Sequence, residues 1–174
     1  SFGRGSFGQL GNGEKYEWVQ DPTPVIMPQE ENIVSISAGT CYSSVVGSSG
    51  SLYTFGSGAY YRLGIGTDED CTIPTRIFSL DGVGGLQPNG RSSGLSLCCC
   101  GTWHTVALAR DTQDVYVWGW SKFGQSGVSR EEMIVQPRRI TALDNLLNDD
   151  EIQSISCGSR HTAILTTSGR VFVM

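Results

Sequence analysis

Histidine and cysteine are the residue types of this chain that could bind a metal or act in catalysis, and it has two histidines and six cysteines. Zinc sites use Cys and His at close, fixed spacings such as Cys-x-x-Cys, and no such pair of cysteines occurs here. A nucleophilic triad is not indicated either, because His104 and His161 occupy equivalent positions in two copies of one motif, at 101–105 and 158–162. We therefore expect no metal, no cofactor and no enzyme activity. Each histidine is expected to hydrogen-bond a backbone group of its own turn.

The cysteine pattern indicates buried, reduced thiols and not a disulfide framework. Cys98, Cys99 and Cys100 are consecutive, and neighbouring side chains of a strand point to opposite faces, which does not suit paired bridges. Free, buried cysteines are typical of reducing compartments. We interpret all six as reduced thiols of an intracellular protein, in the cytoplasm or the nucleus; the other three are Cys41, Cys71 and Cys157.

A glycine-rich segment near the start matches a cofactor motif without the context that the motif requires. Gly3, Gly5 and Gly8 give the spacing Gly-x-Gly-x-x-Gly, which holds a pyrophosphate only where a helix N-terminus follows. Gly-Asn-Gly follows at 11–13 and does not begin a helix. The same loop recurs twice in altered form, so we interpret it as part of a repeat and not as a nucleotide site.

The charge balance argues against nucleic-acid and membrane partners. The chain has 12 Lys and Arg against 17 Asp and Glu, for a formal net charge of −5, whereas binding to a phosphate backbone needs clustered basic residues. No apolar run reaches the roughly eighteen residues of a membrane-spanning helix. The acidic run at 148–151 is expected to be a solvated loop, or alternatively a patch for a basic partner.

Internal repetition is the main signal of organisation. Three corner glycines, Gly39, Gly101 and Gly158, lie 62 and 57 residues apart (101 − 39 and 158 − 101). Two short β-rich runs around a turn follow each corner, which indicates a hairpin. An aromatic-glycine pair then begins a glycine-rich loop, and Gly56 and Gly119 are the glycines of two such pairs. These five glycines and the two histidines are interpreted as structural repeat positions.

The repeat predicts an all-β fold. Each unit supplies about four short strands and no amphipathic helix, so it must stack on neighbouring units, and radial stacking gives a β-propeller. We expect three blades of four-stranded antiparallel sheet in a single-domain fragment, with units at about 2–54, 55–117 and 118–174. Helix is expected only as a turn or two, most readily at 144–150. Three blades do not close a ring, so we expect its remainder outside this segment, or supplied by further copies of the chain.

The corners of the form Gly-x-x-His-Thr and the loops of the form Trp-Gly-x-x-x-x-Gly-Gln-Leu-Gly together resemble the regulator of chromosome condensation repeat family. The resemblance covers the whole chain and implies a seven-bladed propeller. Members of this family include a nucleotide exchange factor for the small GTPase Ran, domains of HECT ubiquitin ligases, a plant ultraviolet photoreceptor and ciliary adaptors, so the resemblance implies a fold and not one function. This chain departs from the pattern at Tyr42, Tyr61, Arg62 and Ser126, where local loop geometry could differ.

Two sets of loops are candidates for binding. The corner positions Cys41, Tyr42, Trp103 and Arg160 are the predicted partner-binding residues, because the photoreceptor relatives are implied to present corner Trp and Arg residues on a face that mediates association, and because these types are enriched at hot spots. The alternative for Trp103 is packing between blades. The inner aromatics of the glycine-rich loops (Phe7, Tyr60 and Phe123) are instead expected to pack against the core.

The second candidate is the insertion at 79–94. Its glycine- and proline-rich composition predicts a mobile loop without packed structure. The alternative, implied by the resemblance to the Ran exchange factor, is an inserted wedge.

The sequence thus predicts a non-catalytic scaffold or adaptor propeller for protein-protein interaction, within a larger assembly. Its partners are expected to be other proteins, with a small GTPase or assembly subunits as candidates. Two alternatives stay open: a guanine nucleotide exchange factor for a Ran-type small GTPase, and the substrate-binding domain of a HECT ubiquitin ligase.

Overall fold

The computed structural model of the chain describes residues 1–28, 30–128, 131–147 and 150–174. Within them the chain forms short antiparallel strands and very little helix, as predicted. The strands are β1 Gly3–Gly5, β2 Tyr16–Val19, β3 Ile33–Ala38, β4 Tyr42–Gly47, β5 Leu52–Gly56, β6 Cys71–Arg76, β7 Leu95–Cys100, β8 His104–Ala109, β9 Val115–Trp120, β10 Met133–Arg139, β11 Ile152–Cys157, β12 Thr162–Thr166 and β13 Val171–Val173.

The helical segments are single turns. Three are 3-10 turns, at Ala59–Tyr61, Phe78–Leu80 and Thr141–Leu143, and one is a four-residue α-helix, α1, at Asp144–Leu147. The expected turn at 144–150 is therefore confirmed as far as Leu147, whereas residues 148 and 149, which belong to the predicted acidic loop, lie outside the described part of the chain.

The strands form four consecutive antiparallel meanders, which we call blades 1 to 4. Blades 2 and 3 are four-stranded, in the orders β3-β4-β5-β6 and β7-β8-β9-β10, while β1-β2 forms blade 1 and β11-β12-β13 forms blade 4. The sheets are offset from the sequence units, because the unit boundary at residue 55 falls inside β5. Each meander places alternate connections at the same end, so the blades share two loop faces.

The two faces carry different loops. The corner face holds the corner turns at 39–41, 101–103 and 158–161 and the glycine-rich loops at 57–70 and 121–128. The hairpin face holds the tight turns at 48–51, 110–114 and 167–170 and the connections at 77–94 and 140–147. The two candidate binding regions predicted from the sequence therefore lie on opposite faces, which makes them separable by experiment.

The repeated aromatic-glycine pairs join neighbouring blades. The Trp118 side chain is fully buried, and its indole N–H donates to the carbonyl oxygen of Arg62 in the preceding blade at 2.9 Å. It packs on Gly64, where an added Cβ would lie 2.6 Å from the indole nitrogen and where φ is +71°. Phe55 packs on Gly11 and Met174 on Gly127 in the same way. The last glycine of each loop is therefore needed both for its left-handed backbone and for the space it leaves.

The insertion at 79–94 contains a small hydrogen-bonded hairpin, so the prediction of a loop without structure of its own is wrong, while its mobility stays a prediction. Leu86 and Ser92 form an antiparallel bridge, and the N–H of Gln87 donates to the carbonyl of Arg91 at 2.8 Å. The Gln87 side chain also donates to the Asp111 carboxylate at 2.9 Å. Alternation of apolar residues could not reveal this small hairpin, because backbone bonds and not side-chain burial hold it together.

Candidate protein-binding face

Adjacent corners touch backbone to backbone. In all three corners the glycine N–H donates to the carbonyl of the residue three positions on, at 2.9 Å. A Cβ added to Gly39 would lie 2.6 Å from the carbonyl oxygen of Gly101, and one added to Gly101 would lie 2.7 Å from that of Gly158. Any larger residue would push the blades apart, which gives the predicted structural glycines a physical reason.

The two glycines of the aromatic-glycine pairs act at the same corners. Gly56 and Gly119 have φ values of +109° and +100°, a region that favours glycine. A Cβ at Gly56 would lie 2.6 Å from the carbonyl oxygen of Cys41, and one at Gly119 would lie 2.6 Å from that of Trp103. Strand and corner of one blade thus pack closely at these points.

The corner side chain of one blade binds a hydroxyl of the next. The Thr162 hydroxyl donates to the carbonyl of Gln125 at 2.9 Å, so it accepts a hydrogen bond from Nε2 of His104 at 2.8 Å. The prediction that His104 bonds a backbone group of its own turn is therefore wrong. A backbone hydrogen bond closes that turn, and the His104 ring reaches the following blade. His161 in contrast is exposed.

His104 is neutral at physiological pH. Its ring is fully buried, and Nδ1 has no hydrogen-bond partner among the described residues. Burial, with a smaller contribution from the charge of His161, lowers the pKa of His104 from 6.5 to about 4. Burial of a neutral ring that is hydrogen-bonded to the neighbouring blade is in line with a structural role.

Tyr42 is not a partner contact, and its prediction as one is wrong. The side chain is fully buried, because its hydroxyl replaces the corner imidazole and donates to the carbonyl of His104 at 2.6 Å. The Thr105 hydroxyl lies 2.9 Å from the Tyr42 hydroxyl and 2.7 Å from the carbonyl oxygen of Arg62. The first corner thus makes the same link between blades with a longer side chain.

The other three predicted residues keep some exposure. Trp103 and Cys41 are partly buried and Arg160 is exposed. Trp103 and Arg160 lie in one surface cluster, whereas Cys41 sits at the preceding corner beside Gly56. The structure therefore brings two of the four predicted residues together.

The cluster is a row of aromatic rings along the corner face, which we call the aromatic row. Trp103 lies edge-on to Tyr60, with ring centroids 5.0 Å apart, and to Trp120 at 5.9 Å. Trp120 in turn lies edge-on to Phe123 at 5.2 Å. These separations and angles are the favoured geometry of aromatic pairs, so the rings support one another.

Two arginines are stacked on the row. The Arg62 guanidinium lies 4.9 Å from the centre of the Trp103 ring and donates to the carbonyls of Ala59 and Thr102 at 2.6 and 2.9 Å. Its burial lowers the pKa of Arg62. Arg160 lies 4.7 Å from the centre of the Phe123 ring and is exposed. Arg62 therefore packs against Trp103 and holds it in place, and Arg160 leaves its charge exposed to solvent.

Two of the three inner aromatics, Tyr60 and Phe123, do not pack into the core, contrary to the prediction, whereas Phe7 is partly buried. Tyr60 is 41% exposed and Phe123 is 54% exposed. Tyr60 and Tyr61 also have φ values of +62° and +58°, a conformation that costs about 1–2 kcal/mol for a residue with a side chain. Tyr61 stands where the other loops have glycine, so the loop keeps its shape at the expense of strain, and Tyr60 is held at the surface.

Residues 60, 62, 120 and 123 were not identified as a site from the sequence. A signal exists for Phe123 alone, whose nearest neighbours in the sequence, Ser121, Lys122, Gly124 and Gln125, offer it no apolar partner.

The described residues contain no arrangement that suits metal or membrane chemistry. No group of three or more His, Cys, Asp or Glu side chains among them could hold a metal ion. In the same part of the chain no helix is long and apolar enough to cross a membrane. A concavity of about 610 Å³ lies between blades 1 and 2 beside Phe2, Leu10 and Ile36 and is mainly apolar.

The four-stranded meanders and their braced loop face define a β-propeller of the kind that binds through its loops. The sequence profile described as the regulator of chromosome condensation (RCC1) repeat matches residues 1–46, 49–108 and 114–165. The chain belongs to this family.

Curated relatives cover nearly the whole chain. It is 33% identical to the ultraviolet-B receptor UVR8 of Arabidopsis thaliana over 172 residues, which is 99% of the chain and 36% of the receptor. It is 29% identical to the human E3 ubiquitin-protein ligase HERC2 over 168 residues, which is 97% of the chain and 3% of the ligase. The chain thus spans about a third or less of the length of these relatives.

Solved structures of the same fold extend the likeness. Human WBSCR16 superposes with a TM-score of 0.75 at 20% identity, over 97% of this chain and 40% of that one. Prp20p of Saccharomyces cerevisiae, described with its binding properties to Gsp1p and histones, superposes with a TM-score of 0.75 at 23% identity, over 94% of this chain and 38% of that one. At these identities the likeness shows the fold.

Proposed function

We propose that this chain is a non-catalytic protein-binding module whose partner docks on the aromatic row of the corner face. The observation that carries the proposal is that Tyr60, Trp103, Trp120 and Phe123 are packed together at the surface, with Tyr60 and Phe123 41% and 54% exposed. Aromatic and arginine side chains dominate binding energy at protein interfaces.

The row is already ordered before a partner arrives. Arg62 is stacked under Trp103 and fixed by two backbone carbonyls, so the rings have little rotamer freedom left to lose. Preorganised side chains bind more tightly because the entropy of ordering them has been spent on folding. The left-handed Tyr60 and Tyr61 add to this, since backbone strain is concentrated at functional positions.

The free arginine indicates the partner's chemistry. Arg160 stacks on Phe123 and forms no ion pair with a residue that the structure describes, so its guanidinium edge can receive a carboxylate in two parallel hydrogen bonds. We expect the partner to be a protein that presents an Asp or Glu flanked by apolar side chains. The net charge of −5 supports a protein partner over nucleic acid.

The comparisons support a protein partner in general terms. Prp20p is described with binding properties to Gsp1p and histones, and HERC2 is named as a ubiquitin ligase. For this chain we propose a scaffold or adaptor role within a larger assembly. All six cysteines are free, which fits our proposal of an intracellular location.

Exchange activity on a Ran-type small GTPase is the second candidate. The observation that favours it is the hydrogen-bonded hairpin at 86–92 on the hairpin face, with Leu86 81% exposed at its base. An ordered, projecting hairpin is the kind of element that could act as a wedge. A substrate-binding role in a ubiquitin ligase is supported by the likeness to ligases such as HERC2 and not by a feature of the site.

The corner-face proposal predicts selective loss of binding. We expect Trp103→Ala and Arg160→Ala each to weaken capture of partner proteins by about 2 kcal/mol, or roughly 30-fold in Kd, because Trp103 lies within the row and Arg160, stacked on Phe123, offers the charge that would pair with the partner's carboxylate. Quantitative affinity capture with the purified variants, followed by titration of the proteins that depend on both residues, measures this.

Phe78→Ala is the matched control. Phe78 is 70% exposed and stacks on Arg76 at 5.5 Å, so it is the same kind of pair on the opposite face. Its removal should leave capture unchanged, and none of the three variants should lower Tm by more than a few degrees. Equal losses for Phe78→Ala, or a collapse of Tm in Trp103→Ala, would contradict the proposal.

A further inference from the structure

Two thiols meet between the innermost strands of blades 3 and 4. The backbone N–H of Cys157 on β11 donates to Sγ of Cys99 on β7 at 3.1 Å. The Cys157 thiol lies 3.4 Å from the carbonyl oxygen of Cys99, to which it donates. The two thiols are close enough for each to shift the pKa of the other. Both side chains are partly exposed, whereas Cys98 and Cys100 are buried.

The preceding pair of blades shows that the fold does not require two thiols at this point. There the N–H of Cys100 donates to the hydroxyl of Ser37 at 2.9 Å, in the position equivalent to Cys99. Ala38 precedes Gly39 where Cys157 precedes Gly158. An oxygen acceptor therefore takes the place of the Cys99 thiol in that contact, where Cys100 stands in the place of Cys157. A hydroxyl and one thiol suffice there, so the second thiol between blades 3 and 4 is an addition.

The contact also activates one of the thiols. The neighbouring Cys157 side chain, helped by the hydrogen bond from its backbone N–H, lowers the pKa of Cys99 to about 7 against the opposing effect of burial. The same contact raises the pKa of Cys157. Cys99 is therefore the first of the two to ionise, and the thiolate is the form that reacts with oxidants.

We propose that Cys99 and Cys157 are a peroxide-reactive dithiol that closes to a disulfide between blades 3 and 4. In the first step the Cys99 thiolate attacks hydrogen peroxide: an S–O bond forms, the O–O bond breaks, and the hydroxide that leaves takes up a proton to become water. In the second step Cys157 attacks the sulfenic sulfur, the S–O bond breaks, and the second water leaves with the proton of Cys157. Two thiols are oxidised by two electrons and one peroxide is reduced.

The product would tie β7 to β11 and so fix two blades at their inner edge. This contact lies beside the corners of Gly101 and Gly158, whose backbones touch. Oxidation would therefore act on the corner face without blocking the aromatic row, since neither cysteine belongs to the row.

Peptide mapping under non-reducing conditions tests the proposal. The full chain is treated with hydrogen peroxide at neutral pH, blocked with an alkylating agent and digested with trypsin. We expect one cross-link between peptides 92–110 and 140–160, reversed by dithiothreitol, and an upward shift of Tm. The cross-link should be lost in Cys99→Ser, which mimics Ser37, and in Cys157→Ala, which mimics Ala38, while both variants fold like the parent.

Cys98→Ser is the control within the same peptide. It should retain the cross-link, because Cys98 is buried. A cross-link that survives in Cys99→Ser, or that disappears in Cys98→Ser, would overturn the assignment. So would conversion of Cys99 to sulfinic acid without a cross-link in the parent chain.

Discussion

Replacement of Trp118 by alanine should lower the free energy of unfolding by about 3–5 kcal/mol. Trp118 is the largest of the fully buried side chains, and it fills the junction between blades 2 and 3 against Gly64. Its loss leaves a cavity that the closely packed blades cannot collapse into. The Arg62 carbonyl retains the Thr105 hydroxyl as a partner, so the cavity and not an orphaned polar group accounts for most of the cost. Urea denaturation measures the loss.

Trp120→Ala is the matched control for this prediction. Trp120 lies two residues along the same strand but is only partly buried, in the aromatic row. We expect it to cost about 1 kcal/mol, the value of its ring contacts. Similar losses for the two variants would mean that the junction is not where the blades are held together.

The second large effect is a loss of stability in acid that depends on His104. The unfolded chain takes up a proton at the ordinary pKa of 6.5, whereas the folded chain resists protonation down to about 4. Between these values the unfolded state binds more protons, so stability decreases as the pH falls from 6.5 to 4. The shift corresponds to about 3 kcal/mol, all of it present above pH 6.5.

Comparison of two histidine variants isolates this contribution. His104→Gln keeps a side-chain donor near Thr162 but cannot titrate, so its unfolding free energy should depend less steeply on pH over this range. His161→Gln, at the exposed corner, should retain most of the parent slope. Carboxylates with a lowered pKa also contribute to the pH dependence. Asp150 is one, because its hydrogen bonds to Ser168 and neighbouring residues lower its pKa to about 2. All three chains share these carboxylates, so they do not affect the comparison. Identical slopes in the parent and His104→Gln would show that His104 titrates normally.

The propeller could be predicted from sequence because its determinants are local and repeated. Corner glycines, hairpin turns and aromatic-glycine pairs recur in phase, and even Met174 occupies the place of Phe55 and Trp118, packed on Gly127. Each of these features follows from backbone sterics or from the contact of one blade with the next. No long-range information was needed beyond the requirement that the units stack.

The direction of individual aromatic side chains could not be predicted in the same way. The sequence pattern predicts Tyr42 at the surface and Tyr60 in the core, and the reverse holds: Tyr42 is fully buried and Tyr60 is 41% exposed. The difference depends on contacts between blades, since the Tyr42 hydroxyl bonds the following corner and Tyr60 meets Trp103 of the next blade. A residue's own blade contains neither partner.

The central claim is that partners bind the corner face, and site-specific photo-cross-linking tests it most directly. A benzoylphenylalanine is placed in turn at Phe123 in the aromatic row, at Phe78 on the hairpin face and at Leu86 in the inserted hairpin, all of which are exposed. After irradiation with the captured partner, we predict a covalent adduct from the probe at 123 and none from those at 78 and 86. Adducts from 86 alone would favour the exchange-factor alternative, and adducts from 78 or 86 without one from 123 would contradict the claim.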